Sequence, residues 1–180
     1  ARMLDGGVGM LQLRAKQWGE APIAKLAEKI QPLCARAGVP FILNDFPQLV
    51  PVVGADGAHV GQDDLPVAEA RALAGGGKII GKSTHSLAQA EAAWAERPDY
   101  IGFGPLFATA TKPDYVPIGT EDIAEVHRRM NLPIFCIGGI KLENLRRVVE
   151  AGAKRVVIVS GILQAADIPA YCRECLGRLP

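Results

Sequence analysis

Short apolar runs alternate with stretches of helical spacing from one end of the chain to the other. The runs Gly9–Leu13, Pro40–Leu43, Gly57–Val60, Lys78–Gly81, Tyr100–Phe103, Pro133–Ile137 and Arg155–Val159 read as strands. Unbroken apolar segments of this length suit a parallel sheet covered by helices. Between them, Ile23, Leu26, Ala27, Ile30 and Leu33 recur at helical spacing, as do Leu87, Ala90, Ala93 and Trp94. Leu142, Leu145, Val148 and Val149 repeat the pattern. Gly38, Gly54 and Gly152 each follow a helical segment and precede a strand, where glycine commonly ends a helix.

Seven strands at intervals of roughly twenty to thirty residues have the cadence of an α/β (βα)₈ TIM barrel. The competing architecture is a doubly wound open sheet, but its G-x-G-x-x-G turn is absent after the first strand. No linker or low-complexity segment divides the chain, so residues 1–180 read as one barrel domain. The opening run from Ala1 to Val8 resembles the tail of a helix capped by Gly6 and Gly7. A barrel needs a strand ahead of that helix, so the expectation is a barrel whose first strand is missing from this chain. Two open sheet edges would then invite pairing with other chains, in a homo-oligomer for example.

Composition narrows the function. With 180 residues and 49% hydrophobic positions, the chain can bury a full core. Twenty Lys and Arg against 19 Asp and Glu leave a formal net charge of +1, so any anion site must be a local cluster. Non-specific nucleic-acid binding is not expected. No apolar run is long enough to span a bilayer and no signal-peptide pattern opens the chain, which points to the cytoplasm. Cys34, Cys136, Cys172 and Cys175 lack the spacing of a disulfide framework, and Cys172 and Cys175 read as positions on a terminal helix from Pro169 to Leu179.

The chemistry gathers after the strands, where barrel active sites lie. Gln12, Arg14 and Lys16 share one face if the first strand stays extended, which aims an amide and two cations in one direction. Asn44 and Asp45 follow the second strand, and Gly61-Gln62-Asp63-Asp64 the third. Oxygen ligands of this kind suit Mg²⁺, although Asp63 and Asp64 could equally cap a helix. Lys82, Ser83, His85 and Ser86 follow next. Ser83 is a candidate donor to an anion, Ser86 a helix cap, and His85 an acid–base group or, more simply, a structural hydrogen-bonding partner. Lys82 either adds charge to the same pocket or faces solvent. His59, mid-strand, and His127, mid-helix, read as packing or surface residues.

After the fifth strand, Gly102 and Gly104 allow close approach to the backbone, and Thr109, Thr111 and Lys112 offer two hydroxyls and a cation. Glycine-bearing loops at Gly138-Gly139 and Ser160-Gly161 end the last two strands, as in the phosphate sites of barrels. One group of residues therefore suits a diphosphate with a metal, and the other a monophosphate.

In this order, QLRAK, ND, DGAHVGQDDLP, GKSTHS, DYIGFGPLFATATK, PIFCIGGI and VVIVSGI resemble the thiamine phosphate synthase family, from about Gly7 to Ile162. The resemblance implies a transferase of thiamine biosynthesis that joins a pyrimidine methyl diphosphate to a thiazole phosphate. Gln12, Arg14, Lys16 and Asn44 would hold the pyrimidine diphosphate, with Ser83 and Lys112 on its diphosphate. Asp45 and Asp64 would ligate Mg²⁺. Thr109, Thr111, Gly139, Val159 and Ser160 would hold the thiazole phosphate. Lys112, Ser83 and Arg14 would carry the catalysis. A thiazole tautomerase, with His85 moving the proton, is the alternative enzyme, and a non-catalytic barrel binding thiazole or thiamine phosphates is the alternative from another class.

Overall fold

The computed structural model describes residues 1–109 and 116–180. A short helix α1 (Arg2–Asp5) precedes strand β1 (Leu11–Leu13), helix α2 (Glu20–Ala37) and β2 (Phe41–Asn44). A 3₁₀ turn at Pro47–Leu49 runs into α3 (Val50–Val53), followed by β3 (Gly57–Val60), α4 (Val67–Ala74) and β4 (Ile79–Thr84). Then come α5 (Leu87–Ala95), β5 (Tyr100–Phe103), α6 (Ile123–Arg129), β6 (Ile134–Ile137) and α7 (Leu142–Glu150). The chain closes with β7 (Val156–Val157), α8 (Ser160–Leu163) and α9 (Ile168–Leu176).

Among the described residues, all seven expected strands form one parallel sheet in the order β1-β2-β3-β4-β5-β6-β7. Each strand pairs only with its neighbours in sequence, so the order never reverses as it does in a doubly wound sheet. The architecture is TIM-barrel-like, an open parallel half-barrel with β1 and β7 at its edges. Caps fall where local chemistry places them. Gly38 ends α2 in the left-handed region at φ 65°, and the Ser86 hydroxyl accepts the Gln89 N–H at 3.1 Å to start α5.

Alternation along each strand separates two environments. Phe41 and Leu43, Ala58 and Val60, Ile80, Ile101 and Phe103, and Ile134 and Cys136 are buried in the clusters shared with the helices. Their neighbours Ile42, His59, Gly81, Ser83, Tyr100, Gly102 and Phe135 occupy the opposite, inward face. Both faces are buried along much of the sheet, which explains the unbroken apolar runs. Lys82 shares the outward face with Ile80. It is 4% exposed, and its Nζ lies 3.7 Å from a Glu96 carboxylate oxygen. It therefore neither adds charge to a pocket at the strand ends nor faces solvent. The second Glu96 oxygen accepts the Val67 N–H at 2.9 Å, which ties the start of α4 to the end of α5. Among the described residues, no helix is long and apolar enough to cross a membrane.

Candidate active site

The C-terminal ends of β1 to β4 surround a polar cleft of about 360 Å³, open mouth included. Arg14 and Lys16 enter from the loop after β1, Asn44 and Asp45 from the end of β2, Gly61 to Asp64 from the loop after β3, and Ser83 and His85 from β4 and just beyond. Six candidates separated by as much as sixty-nine positions (14 to 83) thus line one space: Arg14, Lys16, Asn44, Asp45, Asp64 and Ser83.

Asp45 holds the left-handed conformation at φ 69°, which Asp tolerates better than most side chains. Its N–H donates to the His59 carbonyl at 3.0 Å, so the turn is anchored to β3. The Asp64 carboxylate accepts the Gly61 N–H at 2.6 Å. Asp63 and Asp64 do not cap α4, whose N-cap is Pro66 and whose first N–H goes to Glu96. Burial raises the Asp45 pKa above the ordinary carboxylate value, and the Asp64 charge and hydrogen bond raise it further. Lys16 and Arg14 act in the opposite direction. Two carboxylates close enough to share a proton, faced by two cations, form a site that favours an added positive charge.

Gln12 departs from the expected arrangement. Extended structure ends at Leu13, and Lys16 lies in a turn, so the three polar side chains do not continue along one strand face. The Gln12 Nε2 instead donates to the Tyr100 hydroxyl at 3.4 Å, while Arg14 and Lys16 line the cleft. His59 corrects the sequence reading more strongly. It is 7% exposed, and its ring nitrogens meet the Tyr100 hydroxyl at 3.0 Å and the Ser83 hydroxyl at 2.9 Å. Seeing its partners required the strand register. At His85, Nδ1 faces the Gly104 carbonyl, which can only accept, so Nδ1 carries the proton.

The other rim is built from backbone. The Leu106 N–H donates to the Ile137 carbonyl at 2.9 Å and the Phe107 N–H to the Gly138 carbonyl at 3.1 Å, which joins the loop after β5 to the one after β6. A Cβ on Gly104 would lie 2.0 Å from the Ile137 oxygen, so this glycine admits the neighbouring strand's backbone rather than a ligand. Gly138 has φ +100°, and a Cβ there would lie 2.3 Å from the Pro105 Cα. Gly139 follows at φ +65°, with its carbonyl accepting the Asn144 side-chain amide at 2.9 Å. Val159 and Ser160 stand at the start of α8, after β7. Thr109 is described, whereas Thr111 and Lys112 lie outside the described residues. Among the described residues, no three or more His, Cys, Asp or Glu side chains group around a common metal position.

Residues 1–162 match the family described as thiamine monophosphate synthase. A thiamine-phosphate synthase of Shouchella clausii is 42% identical over 98% of this chain and 85% of its own length. One from Thermus thermophilus is 44% identical over 99% of this chain and 86% of its own. A third, from Synechococcus, is 43% identical over 98% of this chain, which spans 50% of that longer relative. Among solved structures, a thiamine phosphate pyrophosphorylase from Pyrococcus furiosus superposes with a TM-score of 0.90 at 28% identity, covering 98% of this chain and 85% of that one. A 3-hexulose-6-phosphate synthase, at TM-score 0.71 and 16% identity over 99% of this chain and 94% of that one, shares the fold alone.

Proposed function

The chain belongs to the thiamine monophosphate synthase family, and we propose that it joins 4-amino-2-methyl-5-pyrimidinylmethyl diphosphate to 4-methyl-5-(2-phosphoethyl)thiazole with release of diphosphate. The observation that carries this reading is the cleft itself, where Arg14, Lys16 and Ser83 converge with the Asp45 and Asp64 carboxylates. Two cations and a hydroxyl suit the departing diphosphate. The carbon–oxygen bond breaks with its electron pair going to the diphosphate, and the thiazole nitrogen then attacks the resonance-stabilised pyrimidine methyl cation. No enzyme base is needed, so the residues act by holding charge and orienting two substrates.

The Asp45 and Asp64 pair fits Mg²⁺. The donors are hard oxygens, burial and then the Asp64 charge raise the Asp45 pKa, and Mg²⁺ commonly uses one or two carboxylates with water and substrate phosphates completing its shell. Bound there, the ion would neutralise charge on the leaving diphosphate. Asn44 and Gln12 would hold the pyrimidine end. Gly139, Val159 and Ser160, with Thr109 and Thr111, would hold the thiazole phosphate, and Lys112 would join Ser83 on the diphosphate. We read residues 1–180 as one domain of a barrel that an eighth strand between β1 and β7 would complete.

The test is thiamine phosphate formation from the two substrates, with Mg²⁺ and with a chelator. Metal-dependent product is expected. Asp64→Ala should lose turnover yet keep thiazole phosphate binding. A folded chain that binds both substrates and yields no product would overturn the synthase in favour of a tautomerase or a binding protein.

A further inference from the structure

Behind the cleft, inward-facing side chains from four strands form a hydrogen-bonded chain that ends on Ser83. The Gln12 amide lies 3.4 Å from the Tyr100 hydroxyl, which lies 3.0 Å from His59 Nδ1. His59 Nε2 in turn lies 2.9 Å from the Ser83 hydroxyl. Strand register makes the chain possible. Gly81 is paired with His59 on one side and Tyr100 on the other, and a Cβ there would lie 2.5 Å from His59 Nδ1 and 2.2 Å from Tyr100 Cζ. Glycine at this position opens the space in which the two rings meet.

Proton inventory gives the chain a direction. An amide NH₂ only donates, so the Tyr100 oxygen accepts from Gln12. The phenol keeps its own proton, because burial raises the Tyr100 pKa and the residue is 5% exposed. That proton has an acceptor at His59 Nδ1. A neutral imidazole holds one N–H and one lone pair, so a ring that accepts at Nδ1 donates from Nε2. Ser83 then receives the Nε2–H, and its own proton is left to point into the cleft that Ser83 lines. With the opposite tautomer, the serine proton would be committed to Nε2, and lone pairs would face an incoming anion.

We propose that His59 is a positioning residue, held as the Nε2–H tautomer by the Tyr100 phenol, which keeps the Ser83 hydroxyl turned outward as a donor to an anionic ligand. The proposal deepens the reading of the cleft as a diphosphate site and rests on it for the identity of the anion.

The tautomer can be read directly from long-range ¹⁵N–¹H NMR spectra of the whole chain without ligand, with His59→Gln identifying the His59 signals among three histidines. The expected result is a protonated Nε2 and an unprotonated Nδ1. A protonated Nδ1 with Nε2 as acceptor overturns the proposal. In turnover, His59→Leu keeps bulk but removes the hydrogen bonds to Tyr100 and Ser83. It should lower kcat roughly tenfold to a hundredfold, the range for losing a hydrogen bond to a charged group, with the KM for the thiazole phosphate little changed. His59→Gln, whose amide also offers one donor and one acceptor, should recover most of that loss. Equal kcat in wild type and His59→Leu would overturn the assignment. A variant that fails to fold does not affect the wild-type spectrum. A wild-type chain that binds no inorganic diphosphate would refute the anion, and with it the reading of the cleft, whereas the tautomer stands or falls on the spectrum alone.

Discussion

Aspartates at the two ends of the sheet meet opposite fates. At the N-terminal end, Asp56 accepts the Phe41 N–H at 2.8 Å and donates its own N–H to the Phe41 carbonyl at 2.9 Å. Asp99 repeats the arrangement two strands later, with the Ile80 N–H at 2.7 Å, the Ile80 carbonyl at 2.8 Å, and Arg71 at 3.0 Å. Each of these carboxylates precedes a strand and clamps the start of the strand before it. At the C-terminal end, Asp45 and Asp64 face each other, and burial, followed by the Asp64 charge, pushes Asp45 toward its protonated form. One end uses acidic side chains to complete backbone hydrogen bonds from one strand to the next, which stabilises the fold. The other holds like charges together, a cost that makes sense where a ligand brings the opposite charge.

Exchanging single residues between these roles should separate activity from stability. Asp45→Asn is expected to lower thiamine phosphate formation by at least about a hundredfold, the scale of losing one electrostatic contact at a reacting centre. The same substitution should leave the metal-free fold as stable as before or more so, since it removes like-charge repulsion. Asp99→Ala should do the reverse: urea unfolding would show a loss of about 1–3 kcal/mol from the orphaned Ile80 N–H, with kcat per folded molecule retained. A large stability loss in Asp45→Asn would break the comparison.

Gly138→Ala combines a left-handed backbone with a collision against Pro105, so it should destabilise by about 2–4 kcal/mol, measured by the urea midpoint. Adjacent positions on β4 sharpen the contrast between inward and outward faces. Ser83→Ala should reduce kcat roughly tenfold to a hundredfold. Lys82→Met, which replaces a buried cation by an apolar side chain of similar length, should leave kcat unchanged and shift stability by no more than about 2 kcal/mol in either direction.

The smallest effect concerns His127, whose Nε2 is buried with no partner among the described residues. Burial lowers its pKa below the ordinary 6.5, and Lys154 and Arg155 add to the shift. The unfolded chain therefore takes up a proton near pH 6.5 that the folded chain refuses. This contribution to stability is complete above that pH and falls away as pH drops toward the folded value. His127→Gln should flatten the decline in urea midpoint over that interval. An unchanged decline would remove His127 from the account.

Much of this was legible in the sequence because it is local. Strands buried on both faces leave unbroken apolar runs, and all seven were visible as such. Arg14, Lys16, Asn44, Asp45, Asp64 and Ser83 could be assigned to one rim because each adjoins a strand end, and a parallel sheet brings those ends together. What stayed hidden depends on register and facing. Lys82 and Ser83 are neighbours in a polar segment, and only alternation on β4 sends one beneath the helices and the other into the cleft. His59 looked inert because its partners, Ser83 and Tyr100, are 24 and 41 positions away. Gly104 signalled close approach correctly, but what approaches is the β6 backbone.

The most direct test of the carboxylate comparison is calorimetric titration of Mg²⁺, in the presence of inorganic diphosphate, into the wild type, Asp64→Ala and Asp99→Ala. Saturable binding by the wild type and Asp99→Ala, and none by Asp64→Ala, is the predicted result. Binding of equal strength in Asp64→Ala would contradict the assignment of the C-terminal carboxylates to the metal.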